Sequence, residues 1–417
     1  MDIPRDRYLD RLIARKHNGM VKIVTGVRRC GKSYLLFKLF REHLLQSGTD
    51  TSHIIAIALD SKENEECSDP SRLHERILSL VIDDNVHYVL LDEIQLAEGF
   101  EAVINSLLRK GNLDIYVTGS NSRFLSSDII TEFRGRGDEI NVRPLSFSEF
   151  VSVYAGDKID ALAEYMDYGG LPELTKMGTD EQKASYLNTM MKTVYMMDIN
   201  ERNKVELPYL LDNLADVLSS TACSLVNPTK IKYTLASSGY KSADEDTIVK
   251  YIGYLTDAFL FEKARRFDVK GRKYIGALEK YYPVDHGITN ARLNFRQTTE
   301  RSHIMENIIY NELRSRGYDV DIGVVKFRKK TDGKMSQIST EVDFVVRKGS
   351  RAAYIQSAYR IEDSDKREQE IRPLKKINDS FRKIVIVGDS MKPNMDENGI
   401  LFIGLMQFLS DPDSIDV

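Results

Sequence analysis

Apolar residues follow two spacings along this chain: short unbroken runs, and repeats at every third or fourth position. The unbroken runs are typical of strands buried on both faces, and the wider repeats are typical of amphipathic helices. In the first third of the chain the two kinds alternate, which predicts an α/β fold with a parallel sheet. The predicted strands are Val21–Thr25, His53–Leu59, His87–Leu91 and Asp114–Thr118, and the predicted helices are Arg5–Ala14, Arg72–Leu80 and Phe100–Arg109.

The pattern changes in the middle of the chain. A mostly helical stretch, Asp180–Asn203, precedes three helical patterns and then two strand patterns that flank Gly271. Three helices followed by a hairpin predict a winged helix. The predicted elements are Leu207–Leu218, Lys230–Ala236, Ile248–Leu255, Phe259–Arg266 and Tyr274–Tyr282.

The last part of the chain returns to mixed spacing. A helical face that includes Glu306 ends at Gly317, and apolar runs follow it. This order predicts a small α/β domain. The runs are Glu341–Val346, Ala353–Tyr359, Lys383–Gly388 and Ile400–Gly404, followed by a short helix at Leu405–Leu409.

One glycine-rich segment has the spacing of a phosphate-binding loop. Residues 26–33 read G-x-x-x-x-G-K-S between a predicted strand and a predicted helix. Its glycines let backbone N–H groups approach phosphates, Lys32 is expected on the β/γ-phosphates, and Ser33 is expected on Mg²⁺. A chance glycine turn before a helix is the alternative. The nucleotide contacts expected from the motif are Gly26, Val27, Arg28, Arg29, Cys30, Gly31, Lys32, Ser33 and Tyr34.

A pair of carboxylates makes the chance turn a poor explanation. Asp92 and Glu93 follow the apolar run His87–Leu91, and strand ends of a parallel sheet meet at the edge where the glycine loop lies. Asp92 is expected to hold Mg²⁺, and Glu93 to act as the general base for an attacking water. Acidic capping of the strand is the alternative. A strand between the two motifs, and a Glu directly after the Asp, favour a hydrolysing ATPase over a nucleotide kinase.

The next predicted strand also ends in polar residues. Asn121, or Ser120 before it, could reach the γ-phosphate or the attacking water. Both residue types are also preferred helix N-caps, and the two roles can coexist.

Composition excludes several classes of protein. The 417 residues carry a net charge of −4 and three widely spaced cysteines. Those cysteines favour neither a disulfide framework nor a zinc site, and they fit a reducing cytoplasm. A signal peptide and a membrane-spanning run are not expected, because Met1–Arg15 is charged throughout and the apolar runs are short.

Taken in order, the motifs resemble one family. The chain resembles the bacterial and archaeal AAA-type ATPases in which a P-loop module precedes a winged helix and a nuclease-like domain of unknown function. The resemblance implies an ATPase core at 1–150, a helical lid at 151–205, a winged helix at 206–298 and a degenerate PD-(D/E)XK domain at 299–417. The motifs that carry it are Gly26–Ser33, Leu91–Gln95, Thr118–Ser120, Gly135-Arg136, Arg143–Phe147 and Tyr168–Pro172.

The resemblance also implies homo-oligomers, of which a hexamer is one form, with ATP and Mg²⁺ as ligands. In such rings an arginine of one subunit contacts the neighbour's γ-phosphate. Arg136 is the first candidate and Arg134 the second; both could instead be solvated surface charges. Arg202 could be a lid sensor, but an ion pair with Asp198, four residues earlier, is the favoured interpretation.

The hairpin predicted in the middle of the chain is basic on an otherwise slightly acidic protein. This density makes DNA a candidate partner, and a solvated hairpin is the alternative. The third helix adds Lys250 and Tyr251 but is acidic at its start, which argues against a base-reading role. The basic residues are Lys263, Arg265, Arg266, Lys270, Arg272, Lys273 and Lys280.

The C-terminal resemblance is incomplete where a nuclease needs it most. Glu306 and Asp343 match metal-binding positions of the PD-(D/E)XK core, but the Glu-x-Lys position reads Gln356-Ser357-Ala358. Loss of a carboxylate and a lysine predicts that this domain is not a nuclease. The sequence therefore favours an ATP-driven motor or remodeller on DNA. The alternative is an ATP-driven switch whose C-terminal domain engages a protein.

Overall fold

The computed structural model describes residues 2–119, 133, 135–237, 239, 244–296, 301–331 and 334–415. The chain divides into two compact units. The first is Met1–Pro144 with two short returns, Leu171–Glu173 and Asp257–Phe259, and the second contains the remainder. Among the residues described, every helix is too short or too polar to cross a membrane.

The first unit is built on a five-stranded parallel sheet in the order β2-β3-β4-β1-β5. Every residue of β1, β3 and β4 is buried, as expected for apolar strands covered on both faces. The predicted α/β class is therefore confirmed. The strands are β1 Val21–Thr25, β2 Ile54–Ala58, β3 His87–Asp92, β4 Leu113–Thr118 and β5 Gly137–Asn141.

Helices connect these strands and supply the core. The helix after the glycine loop begins at Lys32 and passes through a π-helical stretch before it ends at Gln46. Another helix begins where the Asp69 carboxylate accepts the N–H groups of Ser71 and Arg72, with proline in its first turn. The helices of this unit are Asp6–Ala14, Lys32–Tyr34, Leu35–Phe40, Arg41–Gln46, Pro70–Ser79 and Phe100–Leu107, with 3₁₀ turns at Thr51–His53, Lys62–Ser68, Ile94–Leu96 and Leu108–Lys110.

The second unit begins with helices. Asp198 and Arg202 form the predicted ion pair within one of them, at 3.4 Å. The helices of this unit are Phe147–Val151, Lys158–Tyr168, Asp180–Thr189, Met190–Met196, Met197–Asn203, Pro208–Ser220, Pro228–Ser237, Glu245–Asp257, His286–Arg292, Arg301–Ser315, Ser364–Lys375 and Leu405–Ser410.

A nine-stranded mixed sheet forms the rest of the second unit, in the order β13-β14-β12-β11-β10-β9-β7-β8-β6. The hairpin β7–β8 is antiparallel, and β6 pairs with β8. On its other side β7 pairs in parallel with β9, which joins the hairpin to the C-terminal strands. The strands are β6 Leu225–Val226, β7 Phe261–Asp268, β8 Lys273–Pro283, β9 Asp319–Thr331, β10 Lys334–Lys348, β11 Arg351–Ala358, β12 Arg382–Val387, β13 Asn394–Met395 and β14 Ile400–Gly404.

The Tyr168–Pro172 motif begins on a buried polar scaffold in the second unit. The Gly170 N–H donates to the Asp285 carboxylate at 2.8 Å, and the Gly170 carbonyl accepts from the Leu145 N–H at 2.7 Å. A Cβ atom on Gly287 would lie 1.8 Å from the Tyr168 carbonyl oxygen, so this position requires glycine. Burial raises the pKa of Asp285 and lowers that of His286.

Candidate functional site

The glycine loop has a backbone that its glycines make possible. Gly26 lies at φ 140° and Gly31 at φ 99°, both in the positive region that favours glycine. A Cβ atom on Gly26 would lie 2.0 Å from the carbonyl oxygen of Val142. Gly31 is the residue before the helix that begins at Lys32, so the loop ends at a helix N-terminus, which favours anions.

Lys32 is held inside the loop. Its side chain is buried, and its ammonium donates to the carbonyls of Gly26 at 3.0 Å and Val27 at 3.2 Å. Both acceptors are neutral carbonyls, so neither bond places a negative charge against the ammonium. Among the other predicted loop contacts, Arg28 and Arg29 are exposed, and Tyr34 is half-buried.

Arg5, whose contact with the loop the sequence analysis did not predict, donates hydrogen bonds to backbone carbonyls in and near the glycine loop. Its buried guanidinium donates to the carbonyls of Cys30 at 3.2 Å and Arg143 at 2.6 Å and lies over the ring of Tyr8. Cys30 is itself buried, with its thiol 3.2 Å from the Val142 carbonyl. The helix pattern around Arg5 gave no signal of this role, because an arginine in a first turn looks like an ordinary surface charge.

The two residues predicted to hold Mg²⁺ lie together. The Asp92 carboxylate, at the end of β3, accepts hydrogen bonds from the hydroxyls of Thr118 and Ser33. Only 5% of Asp92 is exposed, and this burial raises its pKa. A hydroxyl and a carboxylate are oxygen ligands of the kind Mg²⁺ prefers, so these residues fit that ion.

Glu93 has an unusual backbone conformation. It lies at φ 49°, in the left-handed region that costs a non-glycine residue energy and is concentrated at functional sites. The Glu93 N–H donates to the Thr118 hydroxyl at 3.1 Å, and its carboxylate accepts from the Gln95 amide. Thr118 thus fixes both acidic residues. Sequence reasoning recognised this threonine as a strand end but not as the group that joins them.

Arg136 lies away from these residues. It is exposed and comes directly before β5, and its carbonyl accepts from the N–H of Val21, the first residue of β1. The glycine loop follows the last residue of β1. Arg136 is therefore at the opposite end of the sheet from its own chain's loop. Ser120, Asn121 and Arg134 lie outside the described residues.

The predicted nuclease-like positions meet in the second unit. Asp343 on β10 accepts the Ser357 N–H at 2.8 Å, and Glu306 accepts the Tyr282 hydroxyl at 2.7 Å. Gln356 on β11 is 9% exposed. Lys280, which the sequence analysis assigned to the basic hairpin, lies 3.1 Å from Glu306.

This placement corrects the predicted basic surface of the hairpin. Lys280 was expected to be on it, but the structure buries it among carboxylates. Lys263 is paired with Glu279 at 3.3 Å. Tyr251 was also expected to face a ligand, but it is buried, and its hydroxyl accepts the Leu207 N–H. The basic residues of the hairpin that remain exposed are Lys263, Arg265, Lys270, Arg272 and Lys273.

Another cluster has the composition of a metal site. His53, Asp83 and His87 place one potential ligand atom each within 4.8 Å of the others, and among the described residues no further group does so. Both ring nitrogens of His87 already bond to the backbone, at Asn85 (2.9 Å) and Ile82 (3.2 Å). We therefore interpret these three residues as a structural hydrogen-bonded cluster at the start of β2 and β3.

Comparison with known families agrees with the geometry of the first unit. A family model described as an AAA domain matches residues 18–151, and one described as a domain of unknown function (DUF8612) matches residues 159–299. The first match spans the glycine loop and both acidic residues. The parallel sheet and its loop therefore lie within the segment that matches an AAA domain.

Two relatives match over most of the chain. An uncharacterized protein of Haemophilus influenzae is 34% identical over 392 residues, which are 93% of this chain and 93% of that protein. An uncharacterized protein of Methanocaldococcus jannaschii is 27% identical over 372 residues, which are 85% of this chain and 78% of that protein.

Solved structures are more distant. The Aeropyrum pernix ORC1 protein in complex with DNA is 12% identical, covers 72% of this chain and 94% of its own, and has a TM-score of 0.31. Cdc6p from Pyrobaculum aerophilum is also 12% identical, covers 74% and 96%, and has a TM-score of 0.30. Scores this low carry no argument, so the fold rests on the strand order and the family match.

Proposed function

Because this chain belongs to the same family as the Haemophilus influenzae protein and carries an AAA domain, we propose that it is a magnesium-dependent ATPase that works as an oligomeric motor or remodeller on DNA. The observation that carries the ATPase proposal is a set of hydrogen-bonded side chains beside the glycine loop. Ser33 and Thr118 bond Asp92, and Thr118 also bonds Glu93.

Each residue of the set has a part in hydrolysis. Lys32 binds the β/γ-phosphates, and the loop N–H groups orient them. Ser33 and Asp92 would hold Mg²⁺, which would neutralise charge on the phosphate oxygens. Glu93 accepts a proton from the attacking water as that water adds to the γ-phosphorus and the bond to the β,γ-bridging oxygen breaks, which releases ADP and phosphate. The Gln95 amide, which donates to the Glu93 carboxylate, orients that carboxylate for this step. Asn121 is proposed to orient the γ-phosphate or the water.

We assign Arg136 to a neighbouring subunit's site. Its exposure, and its distance from its own loop by the length of β1, support action in trans. A guanidinium supplied this way adds charge that Lys32 and Mg²⁺ do not. ATP hydrolysis then requires a homo-oligomer. We also propose a cytoplasmic location, which the three free, buried cysteines support.

The DNA proposal rests on the hairpin. The order helix, β6, helix, helix, β7, β8, with β6 paired to β8, supports a winged helix at 206–298 between a helical lid and a degenerate nuclease-like domain. Lys270, Arg272 and Lys273 are exposed around the hairpin turn, where they can reach phosphates. The burial of Lys280 and Tyr251 removes two predicted contacts, which favours the second candidate: a switch that engages a protein through the C-terminal domain.

Fluorescence anisotropy with duplex, forked and junction DNA separates the two candidates. We expect weaker binding to all three DNAs by a triple variant, Lys270→Ala/Arg272→Ala/Lys273→Ala. The slope of log affinity against log salt concentration should become less negative by about three. The matched control replaces three exposed lysines elsewhere, Lys62, Lys110 and Lys392, and should change neither. Absence of binding at low salt, with no stimulation of ATPase activity by DNA, would remove the DNA proposal. A stable protein partner would then favour the switch.

A further inference from the structure

Lys280 is a buried charge with two anionic partners. Its side chain is 7% exposed, and its ammonium lies 3.1 Å from Glu306 Oε1 and 2.6 Å from Glu341 Oε1. Burial alone would lower the pKa of Lys280, but the carboxylates around it raise that pKa above its ordinary value. The group is therefore an ammonium ion at any physiological pH, and it bridges two carboxylates from different elements.

Those carboxylates belong to the nuclease-like positions. Glu306 comes from the helix Arg301–Ser315, whereas Glu341 and Asp343 come from β10. Asp343 is held by the Ser357 N–H, and burial raises its pKa. Gln356, on the neighbouring strand β11, has a buried side-chain oxygen with no hydrogen-bond partner.

A divalent ion does not fit this arrangement while the Lys280 ammonium is present. Three oxygens on one such ion must come close together, since each lies about 2.0–2.6 Å from it. Among the described residues, the ligand atoms of His53, Asp83 and His87 all lie within 4.8 Å of one another, whereas the carboxylate oxygens of Glu306, Glu341 and Asp343 do not form such a group. The position between Glu306 and Glu341 is taken by the Lys280 ammonium.

We propose that Lys280 is a built-in cation that replaces the metal of the nuclease-like site, so that the C-terminal domain binds no divalent ion there and cleaves no phosphodiester. The same ammonium ties β8, the second strand of the predicted wing, to the helix of Glu306 and to β10. The inference is independent of the ATPase proposal, because every residue involved lies in the second unit.

Removing the ammonium should convert the cluster into a metal site. Lys280→Met keeps the length of the side chain and leaves Glu306, Glu341 and Asp343 without their cation. Mn²⁺ binding is measured as the decrease in the electron paramagnetic resonance signal of free Mn²⁺. Every variant also carries Asp92→Asn, so that the nucleotide site does not contribute to the binding. We expect at least a tenfold gain in Mn²⁺ affinity for Lys280→Met, into the range of about 0.1–1 mM. Adding Asp343→Asn should cancel the gain.

Lys263→Met is the matched control, because it also removes an ion-paired lysine from the hairpin but lies outside the cluster; it should gain no Mn²⁺ affinity. If Lys280→Met does not fold without metal, the double variant Lys280→Met/Glu341→Gln is tested instead. It has one carboxylate fewer and therefore less repulsion between carboxylates, and it should still gain Mn²⁺ affinity. A folded variant of either kind without the gain would overturn the proposal. Two results with the protein that retains Lys280 would also overturn it. One is Mn²⁺ binding that Asp343→Asn abolishes, and the other is Mn²⁺-dependent DNA cleavage that requires both Lys280 and Asp343.

Discussion

Replacing Thr118 with valine tests whether one hydroxyl organises the acidic pair of the ATPase site. The change preserves side-chain shape but removes a donor to the Asp92 carboxylate and the acceptor of the Glu93 N–H. A bond to a charged group contributes about 1.5–3 kcal/mol, and a buried N–H left unpaired costs about 1–3 kcal/mol. Since Thr118 is fully buried, water cannot replace either bond, and we expect Thr118→Val to lose about 2.5–6 kcal/mol of unfolding free energy.

The matched control is Thr118→Ser, which keeps both hydrogen bonds and loses a methyl group worth about 1 kcal/mol. Urea unfolding followed by circular dichroism measures stability, and steady-state ATP hydrolysis measures the position of Glu93. Thr118→Val should lower kcat with little change in KM, because the base is misplaced while the phosphate loop is intact. Equal stability and equal kcat for the valine and serine variants would refute the role assigned to Thr118.

Three further predictions concern other parts of the molecule. Glu93→Gln should retain ATP binding but lower kcat by about 10²–10⁴-fold; brisk hydrolysis by this variant would contradict its assignment as the base. Arg136→Ala should lower kcat by on the order of 10³-fold without changing the unfolding midpoint, and mixing it with Glu93→Gln should restore activity in part; unchanged kcat would exclude it as the arginine that acts in trans. Because burial lowers the pKa of His286, the unfolded chain binds a proton at higher pH than the folded one, so stability should fall as pH drops below about 6.5. His286→Gln should reduce that loss in urea unfolding at several pH values, and an unchanged loss would contradict it.

Residues whose positions are set by local sequence could be predicted. The spacing of Gly26, Gly31 and Lys32 specifies a loop between strand and helix, and Asp92 follows an apolar run, so the position of each follows from its immediate neighbours. Most strands of the first sheet were predicted within two residues of their ends. β5 was missed because Gly137–Asn141 is mostly polar and occupies the edge of the sheet, where an apolar run is not required.

Residues whose roles depend on distant partners could not be predicted. Arg5 contacts a residue 138 positions away, and Asp285 contacts one 115 positions away. Lys280 looked like one more basic residue of a hairpin, because nothing nearby in sequence shows that Glu306 and Glu341 surround it. The pairing of β7 with β9 is likewise a long-range contact that periodicity does not encode.

Isothermal titration of the purified protein with ATP in the presence of Mg²⁺ tests the central claim most directly. We predict saturable binding that Lys32→Ala weakens at least tenfold, since that change removes the buried ammonium from the glycine loop while the parallel sheet remains folded. Absence of heat with the folded protein, or equal affinities for the protein with and without Lys32, would contradict the account.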